Sequence, residues 1–281
     1  MFMSRFAPSP TGRLHLGHAY SALVGHNLAL ENGGRFLIRI EDLDQTRSRP
    51  EFVEGIFEDL RWLGIEWDDQ IVVQSRRGEA YETALEQLRE RDLVYPCFCT
   101  RSDIEAALEA PHSRATHYPG TCRGLPDDPE RRSERPHSWR LDAAKAAKIA
   151  GLPSWTEVGG RRFQSRLEDL DDVILARKDA PAAYHLACVV DDFESGVTLV
   201  SRGADLRSST PIQRLLQLIL GLGEPTYLHH PLVAHSGGRR LAKRDLAPTL
   251  ESLRRSGVDG GDLGLGLLRG KLPLGFTFVG A

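Results

Sequence analysis

The sequence predicts an α/β fold with a doubly wound parallel sheet, an inserted α+β subdomain and a short C-terminal helical segment. Apolar strand-like segments alternate with amphipathic helical segments in the first third of the chain. The alternation stops in a region rich in Pro, Gly, Asp and Arg, and it then returns. Because strands joined by helices lie side by side in one direction, this pattern favours a parallel sheet covered on both faces.

The chain opens with the pattern strand, loop, helix, strand. Ser4-Arg5-Phe6-Ala7 is typical of a short buried strand, and a helical pattern begins near Gly17. One face of this helix is expected to carry Ala19, Leu23, His26 and Leu30. After Gly33-Gly34, the residues from 35 to 40 show the period of two that is typical of a strand.

A second helix is expected from Pro50, which suits a first helical turn, to Gly64, which suits the C′ position. Strand Ile71 to Gln74 and a third helix follow, and the alternation ends at Val94-Tyr95-Pro96. We therefore assign residues 1–96 to the first half of the sheet and residues 97–170 to the inserted subdomain.

The second half of the sheet is expected in residues 171–245, with strands at 172–176 and 196–201. Thr210-Pro211-Ile212-Gln213 has the spacing of a capping box, with proline in the first helical position. Residues 246–281 form the short C-terminal segment, which is too short for a sizeable helical domain.

Composition indicates an ordinary globular chain with a formal charge of −3, so any contact with RNA must depend on local patches. No apolar run is long enough to span a bilayer, and we expect a cytoplasmic monomer without membrane association. Five arginine pairs are candidates for phosphate contacts, although each also fits a solvated surface: Arg76-Arg77, Arg131-Arg132, Arg161-Arg162, Arg239-Arg240 and Arg254-Arg255.

The loop after the first strand contains Pro8-Ser9-Pro10-Thr11-Gly12, followed by His15-Leu16-Gly17-His18. Two histidines three positions apart share one side of a helix start, where backbone N–H groups and the helix dipole favour a polyphosphate. Gly17 allows close approach to the backbone. The same tetrapeptide also fits a helix cap without a ligand.

Several motifs together resemble the class I aminoacyl-tRNA synthetases, specifically the glutamyl group. They are Arg5 to Gly12 with His15 to His18, Phe36 to Asp42, Val200 to Leu206, and Thr210 to Gln213. The resemblance covers most of residues 1–246 and implies a Rossmann-like catalytic core that activates glutamate with ATP, with Mg²⁺ expected beside the nucleotide.

The resemblance implies a role for each residue that would bind ATP. His15 and His18 contact the triphosphate, and Gly17 lies at the nucleotide. The family's second signature maps onto Arg240-Leu241-Ala242-Lys243-Arg244, which retains in full only Lys243, the expected catalytic lysine. A basic surface turn is the alternative for this segment.

A glutamate pocket needs a cation for the side-chain carboxylate and an anion for the α-ammonium group, and arginine binds carboxylates best. By resemblance, Arg5 and Arg202 supply the positive charge, Glu41 binds the ammonium group, Ser9 adds a hydroxyl and Tyr184 closes the pocket.

Three cysteines lie close together in the sequence, at Cys97, Cys99 and Cys122. Three thiolates and a fourth donor satisfy a structural Zn²⁺, although three unligated cysteines remain possible. The glutamyl-queuosine synthetases resemble this pattern and imply Tyr118 as the fourth ligand, in preference to His112 or His117. Cys188 is expected to be a buried apolar residue.

The short segment after the lysine signature resembles the glutamyl-queuosine tRNA(Asp) synthetases, which attach glutamate to queuosine in the anticodon loop. The resemblance implies L-glutamate, ATP and tRNA(Asp) carrying queuosine as substrates. One alternative is a short glutamyl-tRNA synthetase that charges the tRNA 3′ end. A non-catalytic paralogue that binds amino acids or RNA is the other.

Overall fold

The computed structural model describes residues 1–109, 118–126, 128–238, 241 and 248–280. The strands are β1 (Met3–Phe6), β2 (Arg35–Ile40), β3 (Ile71–Val73), β4 (Val94–Cys97), β5 (Ser138–Leu141), β6 (Ser154–Thr156), β7 (Arg162–Gln164), β8 (Ile174–Ala176), β9 (Leu199–Gly203), β10 (Thr226–His230), β11 (Leu232–His235) and β12 (Phe276–Val279). The helices are α1 (Leu16–Glu31), α2 (Pro50–Trp62), α3 (Gly78–Glu90), α4 (Arg101–Glu109), α5 (Pro129–Glu134), α6 (Ala143–Ala150), α7 (Tyr184–Glu194), α8 (Thr210–Leu220), α9 (Leu250–Arg255) and α10 (Gly260–Leu268). No helix within the described ranges has both the length and the apolar character needed to cross a membrane.

Two groups of parallel strands form the centre of the molecule. Strands β1, β2 and β3 pair in that order, and β9 pairs with β10. The groups meet where β1 lies beside β9: the Thr198 amide donates to the Met3 carbonyl at 3.0 Å, and the Met3 amide donates to Thr198 Oγ1 at 2.9 Å. The order β3-β2-β1-β9-β10 therefore changes direction between β1 and β9, as in doubly wound sheets. The predicted fold class is confirmed.

Strand β2 is covered on both faces, because every residue after Arg35 is buried. The alternation in its sequence therefore does not separate a core face from a solvent face. Parallel sheets with helices on both sides have this property. One result is that Arg39, which the period of two places opposite the apolar positions, is only 2% exposed.

Helix α1 lies against the central strands through a face rich in small residues. Its buried residues include Leu16, Ala19, Ala22, Leu23 and Ala29. Leu30, which the helical pattern places on one face with Ala19 and Leu23, has an exposed fraction of 63%. In the last turn of the helix the structure buries Ala29 instead.

The inserted region is built on an antiparallel sheet in the order β4-β5-β8. We expected Val94 to Pro96 and residues 172–176 to belong to the alternation of the parallel sheet, and this expectation is wrong. Both segments form strands, but they flank β5 in the antiparallel sheet. Sequence periodicity identifies a strand without identifying its pairing partner, which here is separated by many residues.

The C-terminal segment forms helices α9 and α10, as expected, and also strand β12. This strand pairs antiparallel with β11, with Phe276 opposite His235. Leu250 and Leu267 are buried in the same cluster as Leu16 and Leu23 of α1. The segment therefore contributes to the core of the first half of the sheet.

Leu23 and Leu30 of α1 offer a matched test of this packing. We expect Leu23→Ala to lower the free energy of unfolding by about 2–5 kcal/mol, because it removes a buried side chain and leaves a cavity. Leu30→Ala, in the same helix, should change it by no more than about 0.5 kcal/mol. Urea denaturation measures both values, and equal losses would contradict the burial of α1.

Candidate active site

A cavity of about 490 Å³ opens where β1 and β9 end. Carboxyl ends of strands at a change of strand order are the usual ligand sites of open α/β sheets. The walls include all five residues expected to bind glutamate, together with one of the two histidines: Arg5, Ser9, Glu41, Tyr184, Arg202 and His18.

A second cavity of about 320 Å³ adjoins the first, and both are lined by His18, Ser21 and Gly203. His15 and Gly17 line this second cavity, as does Leu241. The structure thus brings the first-signature residues next to the expected glutamate pocket. Lys243 lies outside the described residues.

The start of α1 is organised by its two histidines. Nδ1 of His15 accepts from the Gly17 amide at 3.1 Å, and Nδ1 of His18 accepts from the His15 amide at 3.2 Å. The rings lie 3.8 Å apart. A Cβ atom at Gly17 would lie 3.1 Å from His15 Cε1, so glycine leaves space for that ring. The capping arrangement and the position beside the cavity occur together.

A buried ionic cluster lies beneath the cavity. Asp192 accepts from Arg5 Nε at 2.9 Å and from Arg39 Nη1, while Arg39 Nη2 donates to Glu41 at 3.3 Å. Burial alone would raise the pKa of Asp192, but Arg39 and Arg5 overcome this effect and hold it well below its usual range. Burial raises the pKa of Glu41, against the opposing effect of Arg39. Asp192 therefore balances part of the positive charge of Arg5.

Arg202 differs from Arg5, because its hydrogen-bond partners among the described residues are neutral. Its Nε donates to His229 at 3.2 Å, Nη2 donates to Thr210 at 2.7 Å, and Nη1 donates to Gln213. A guanidinium has more N–H donors than these three contacts use. Arg202 is 4% exposed and lines the cavity, so it presents an unbalanced positive charge to a ligand.

The capping box expected at Thr210 and Gln213 is wrong. Helix α8 begins at Thr210, but neither side chain caps it, because both accept hydrogen bonds from Arg202. Threonine and glutamine at this spacing can either cap a helix or accept hydrogen bonds from an arginine. Only the position of Arg202 in the structure shows which of these roles the two residues have.

Two further groups near Arg202 have shifted pKa values. Burial raises the pKa of Tyr184 to about 12, so its hydroxyl remains protonated near neutral pH. Burial, assisted by the charge of Arg202, lowers the pKa of His185 to about 4. The His185 ring therefore adds no positive charge beside Arg202 near neutral pH.

Sequence reasoning missed Arg39, Asp192 and the neutral ligands of Arg202. For Arg39 a signal was present, because an arginine in a strand covered on both faces must find a buried partner. Asp192 gave no comparable signal, since its position in α7 becomes meaningful only when α7 packs beside β1.

The three cysteines and Tyr118 form a second site in the inserted region. The Sγ atoms of Cys97, Cys99 and Cys122 all lie within 4.8 Å of one another. Tyr118 Oη lies 3.3 Å from Cys97 Sγ and 3.6 Å from Cys99 Sγ. This cluster could hold a metal ion. His112 and His117, the alternative ligands, lie outside the described residues.

Several of the arginines considered for RNA contacts have partners within the protein. Arg77 pairs with Asp191 at 2.6 Å, and Arg254 pairs with Glu58 at 2.8 Å. Arg131 lies over the Phe98 ring at 4.3 Å. Arg239-Arg240 lies outside the described part of the chain. RNA contacts by these residues remain a prediction.

Comparison with known proteins agrees with this fold. The family model of class I tRNA synthetases (E and Q), catalytic domain, matches residues 1–279. The chain belongs to this family.

Its relatives narrow the assignment within the family. The glutamyl-Q tRNA(Asp) synthetase of Rhodobacter capsulatus is 43% identical over 276 residues, which cover 93% of this chain and 98% of that protein. The enzyme of the same name from Nocardia farcinica is 45% identical over 256 residues, which cover 90% of this chain and 79% of that protein. The resemblance to glutamyl-queuosine tRNA(Asp) synthetases is confirmed.

Solved structures show the same core in a longer enzyme. The glutamate-tRNA synthetase from Elizabethkingia anophelis superimposes with a TM-score of 0.71 at 30% identity. The match covers 87% of this chain and 53% of that chain, so the present chain spans about half the length of that enzyme.

The buried ionic cluster should make stability depend on Asp192. We expect Asp192→Asn to lower the free energy of unfolding by about 3–5 kcal/mol at pH 7, because two buried arginines lose their shared carboxylate. Folding lowers the pKa of Asp192, so the ionised carboxylate stabilises the folded state above the unfolded pKa of about 3.9. This stabilisation is lost progressively as the pH falls below that unfolded pKa. In urea denaturation, the difference in the free energy of unfolding between wild type and variant should therefore be largest at pH 7. It should become smaller as the pH falls through the unfolded pKa towards pH 3.

Glu194→Gln is the matched control, because Glu194 lies in the same helix but its side chain is 47% exposed. It should change stability by no more than about 1 kcal/mol at either pH. A pH-independent loss in Asp192→Asn would contradict the ionic role of Asp192.

Proposed function

We propose that this chain is an ATP-dependent ligase that activates L-glutamate and transfers it to queuosine in tRNA(Asp). The observation that carries the proposal is the position of Arg202, a buried arginine with neutral partners, in one cavity with Glu41 and His18. The relatives named glutamyl-Q tRNA(Asp) synthetase support the choice of acceptor.

In the first step, an oxygen of the glutamate α-carboxylate attacks the α-phosphorus of ATP. The bond from that phosphorus to the bridging oxygen breaks, and pyrophosphate leaves with its electron pair. No protein nucleophile is needed, so the chain contributes alignment and charge stabilisation. His15, His18 and the amino end of α1 contact the triphosphate beside Gly17, and Lys243 assists departure of pyrophosphate. Mg²⁺ accompanies the nucleotide.

Selectivity for glutamate follows from the charge at Arg202. The remaining N–H groups of Arg202 bind the side-chain carboxylate, and Glu41 binds the α-ammonium group. Ser9 and Tyr184 complete the pocket, and Arg5 contributes positive charge that Asp192 partly balances. Glutamine would leave the buried guanidinium without a counter-charge. Such a site therefore discriminates strongly against glutamine as a substrate.

In the second step, a hydroxyl oxygen of queuosine attacks the carbonyl carbon of the adenylate. The bond from that carbon to the phosphate oxygen breaks, AMP leaves with its electron pair, and the hydroxyl proton passes to solvent. The main alternative is transfer to the 3′ ribose of a tRNA, and the similarity to a glutamate-tRNA synthetase favours that possibility. Both readings share the first step and differ only in the acceptor.

One experiment tests both steps. Purified protein should catalyse glutamate-dependent exchange of pyrophosphate into ATP without tRNA, and glutamine should not replace glutamate. With labelled glutamate and tRNA(Asp) containing queuosine, the label should remain on the base, and tRNA lacking queuosine should not be labelled. Label on the 3′ ribose would establish the alternative acceptor, and absence of exchange would overturn the proposal.

The pocket variant Arg202→Gln should lower kcat/KM for glutamate about 100-fold or more, because it removes the cation that binds the side-chain carboxylate. Arg166→Gln serves as control, since the Arg166 side chain is 75% exposed and lies outside both cavities. If both substitutions changed kcat/KM equally, Arg202 would not be the residue that binds the glutamate side chain.

For the cysteine cluster we propose a structural Zn²⁺ bound by Cys97, Cys99, Cys122 and Tyr118. Tetrahedral Zn–S bonds of about 2.3 Å place two sulfurs about 3.8 Å apart, and Cys99 Sγ lies 3.6 Å from Cys122 Sγ. Tyr118 Oη also accepts from the Cys122 amide at 2.9 Å, which orients the phenol towards the thiols.

Metal analysis of the purified protein should give one zinc per chain. Cys122→Ser should lower that content and the Tm, because it removes one ligand of the ion. Cys188→Ser is the matched control, as Cys188 is buried beside Asp192 and not in the cluster. Zinc content that is unchanged in Cys122→Ser would contradict the assignment.

A further inference from the structure

We infer that Glu157 and His229 position Arg202 for the substrate carboxylate, acting as a hydrogen-bonded pair behind the guanidinium. The inference rests on the proposed role of Arg202 in glutamate binding and adds two positioning residues to it. Neither residue lines either of the two cavities.

The three side chains form a continuous chain of hydrogen bonds. Glu157 Oε1 lies 2.8 Å from His229 Nδ1, and His229 Nε2 lies 3.2 Å from Arg202 Nε. The side chain of His229 is fully buried, while that of Glu157 is 13% exposed. Thr210 Oγ1 lies 3.1 Å from the same Nε2 atom and also accepts from Arg202 Nη2.

The partners of His229 define its protonation state. Arginine can only donate, so Nε2 of His229 must present a lone pair to Arg202. A carboxylate can only accept, so Nδ1 must carry the proton that faces Glu157. The geometry therefore selects the neutral Nδ1–H tautomer. Burial, and then the charge of Arg202, lower the pKa of His229 to about 4 against the opposing effect of Glu157, which agrees with a neutral ring.

This arrangement fixes the guanidinium without neutralising it. A carboxylate in direct contact with Arg202 would compete with the substrate, as Asp192 does for Arg5. A neutral imidazole between Glu157 and Arg202 keeps the orientation and moves the negative charge further away. Pre-orientation of this kind reduces the entropy lost when a ligand binds.

Glu157 is held in place by backbone contacts. It follows β6 in a turn closed by the bond from its amide to the Arg161 carbonyl at 2.8 Å. The Val158 amide donates to the Tyr227 carbonyl at 2.9 Å, which attaches the turn to β10 two residues before His229. The hairpin of β6 and β7 is thereby connected to Arg202 through His229.

Kinetics with two substitutions at one position test the positioning role. In pyrophosphate exchange, Glu157→Ala should raise KM for glutamate about tenfold with little change in KM for ATP, because only the carboxylate pocket loses its support. Glu157→Gln retains an acceptor for the Nδ1 proton and should remain within a few-fold of wild type. Arg207→Ala is the control, since Arg207 contacts Glu157 at 3.4 Å from its exposed side, and it should leave KM for glutamate unchanged.

Nitrogen NMR of ¹⁵N-histidine-labelled protein gives a readout independent of activity. The His229 signals should show a protonated Nδ1 and an unprotonated Nε2 in wild type, and Glu157→Ala should shift the Nδ1 resonance because that proton loses its carboxylate acceptor. A folded Glu157→Ala protein with unchanged KM for glutamate, or a wild-type ring protonated at Nε2, would overturn the inference. If wild-type protein showed no exchange, the proposed function would fail, and the tautomer measurement would still decide the state of His229.

Discussion

The unequal pairing of buried charge around the proposed glutamate pocket is the constraint on which the site depends. Asp192 is shared by Arg5 and Arg39, whereas Arg202 contacts only neutral groups in the described part of the chain. A buried charge without a counter-ion is costly, and a bound carboxylate relieves this cost. This unequal pairing is the physical basis of the proposed preference for an anionic side chain.

The strand order explains why these groups meet. Arg5 lies in β1 and Arg202 in β9, which are distant in sequence but adjacent at the change of strand order. The same position brings the amino end of α1, with His15 and His18, to the rim of the cavity. One topological feature thus places the proposed amino-acid pocket beside the proposed nucleotide site.

The degree to which the sequence predicted the fold differed between elements. The helix limits near Pro50 and Gly64 and the strand at residues 35–40 follow from local chemistry, and they agree with α2 and β2. The pairing of β4 and β8 with β5 was predicted incorrectly, because a strand pattern contains no information about its distant partner. The same limit applies to Thr210, where a capping motif and an arginine ligand have the same sequence signature.

By itself the sequence determined the fold class, the family resemblance and most candidate site residues, because these depend on local periodicity and on motifs within short segments. Only the tertiary structure decided which arginine is balanced by a carboxylate, and that Glu157 reaches Arg202 through His229. The physical reason is that electrostatic balance depends on distances between side chains brought together from separate strands and helices. Those distances are fixed by packing, which no single segment of the sequence specifies.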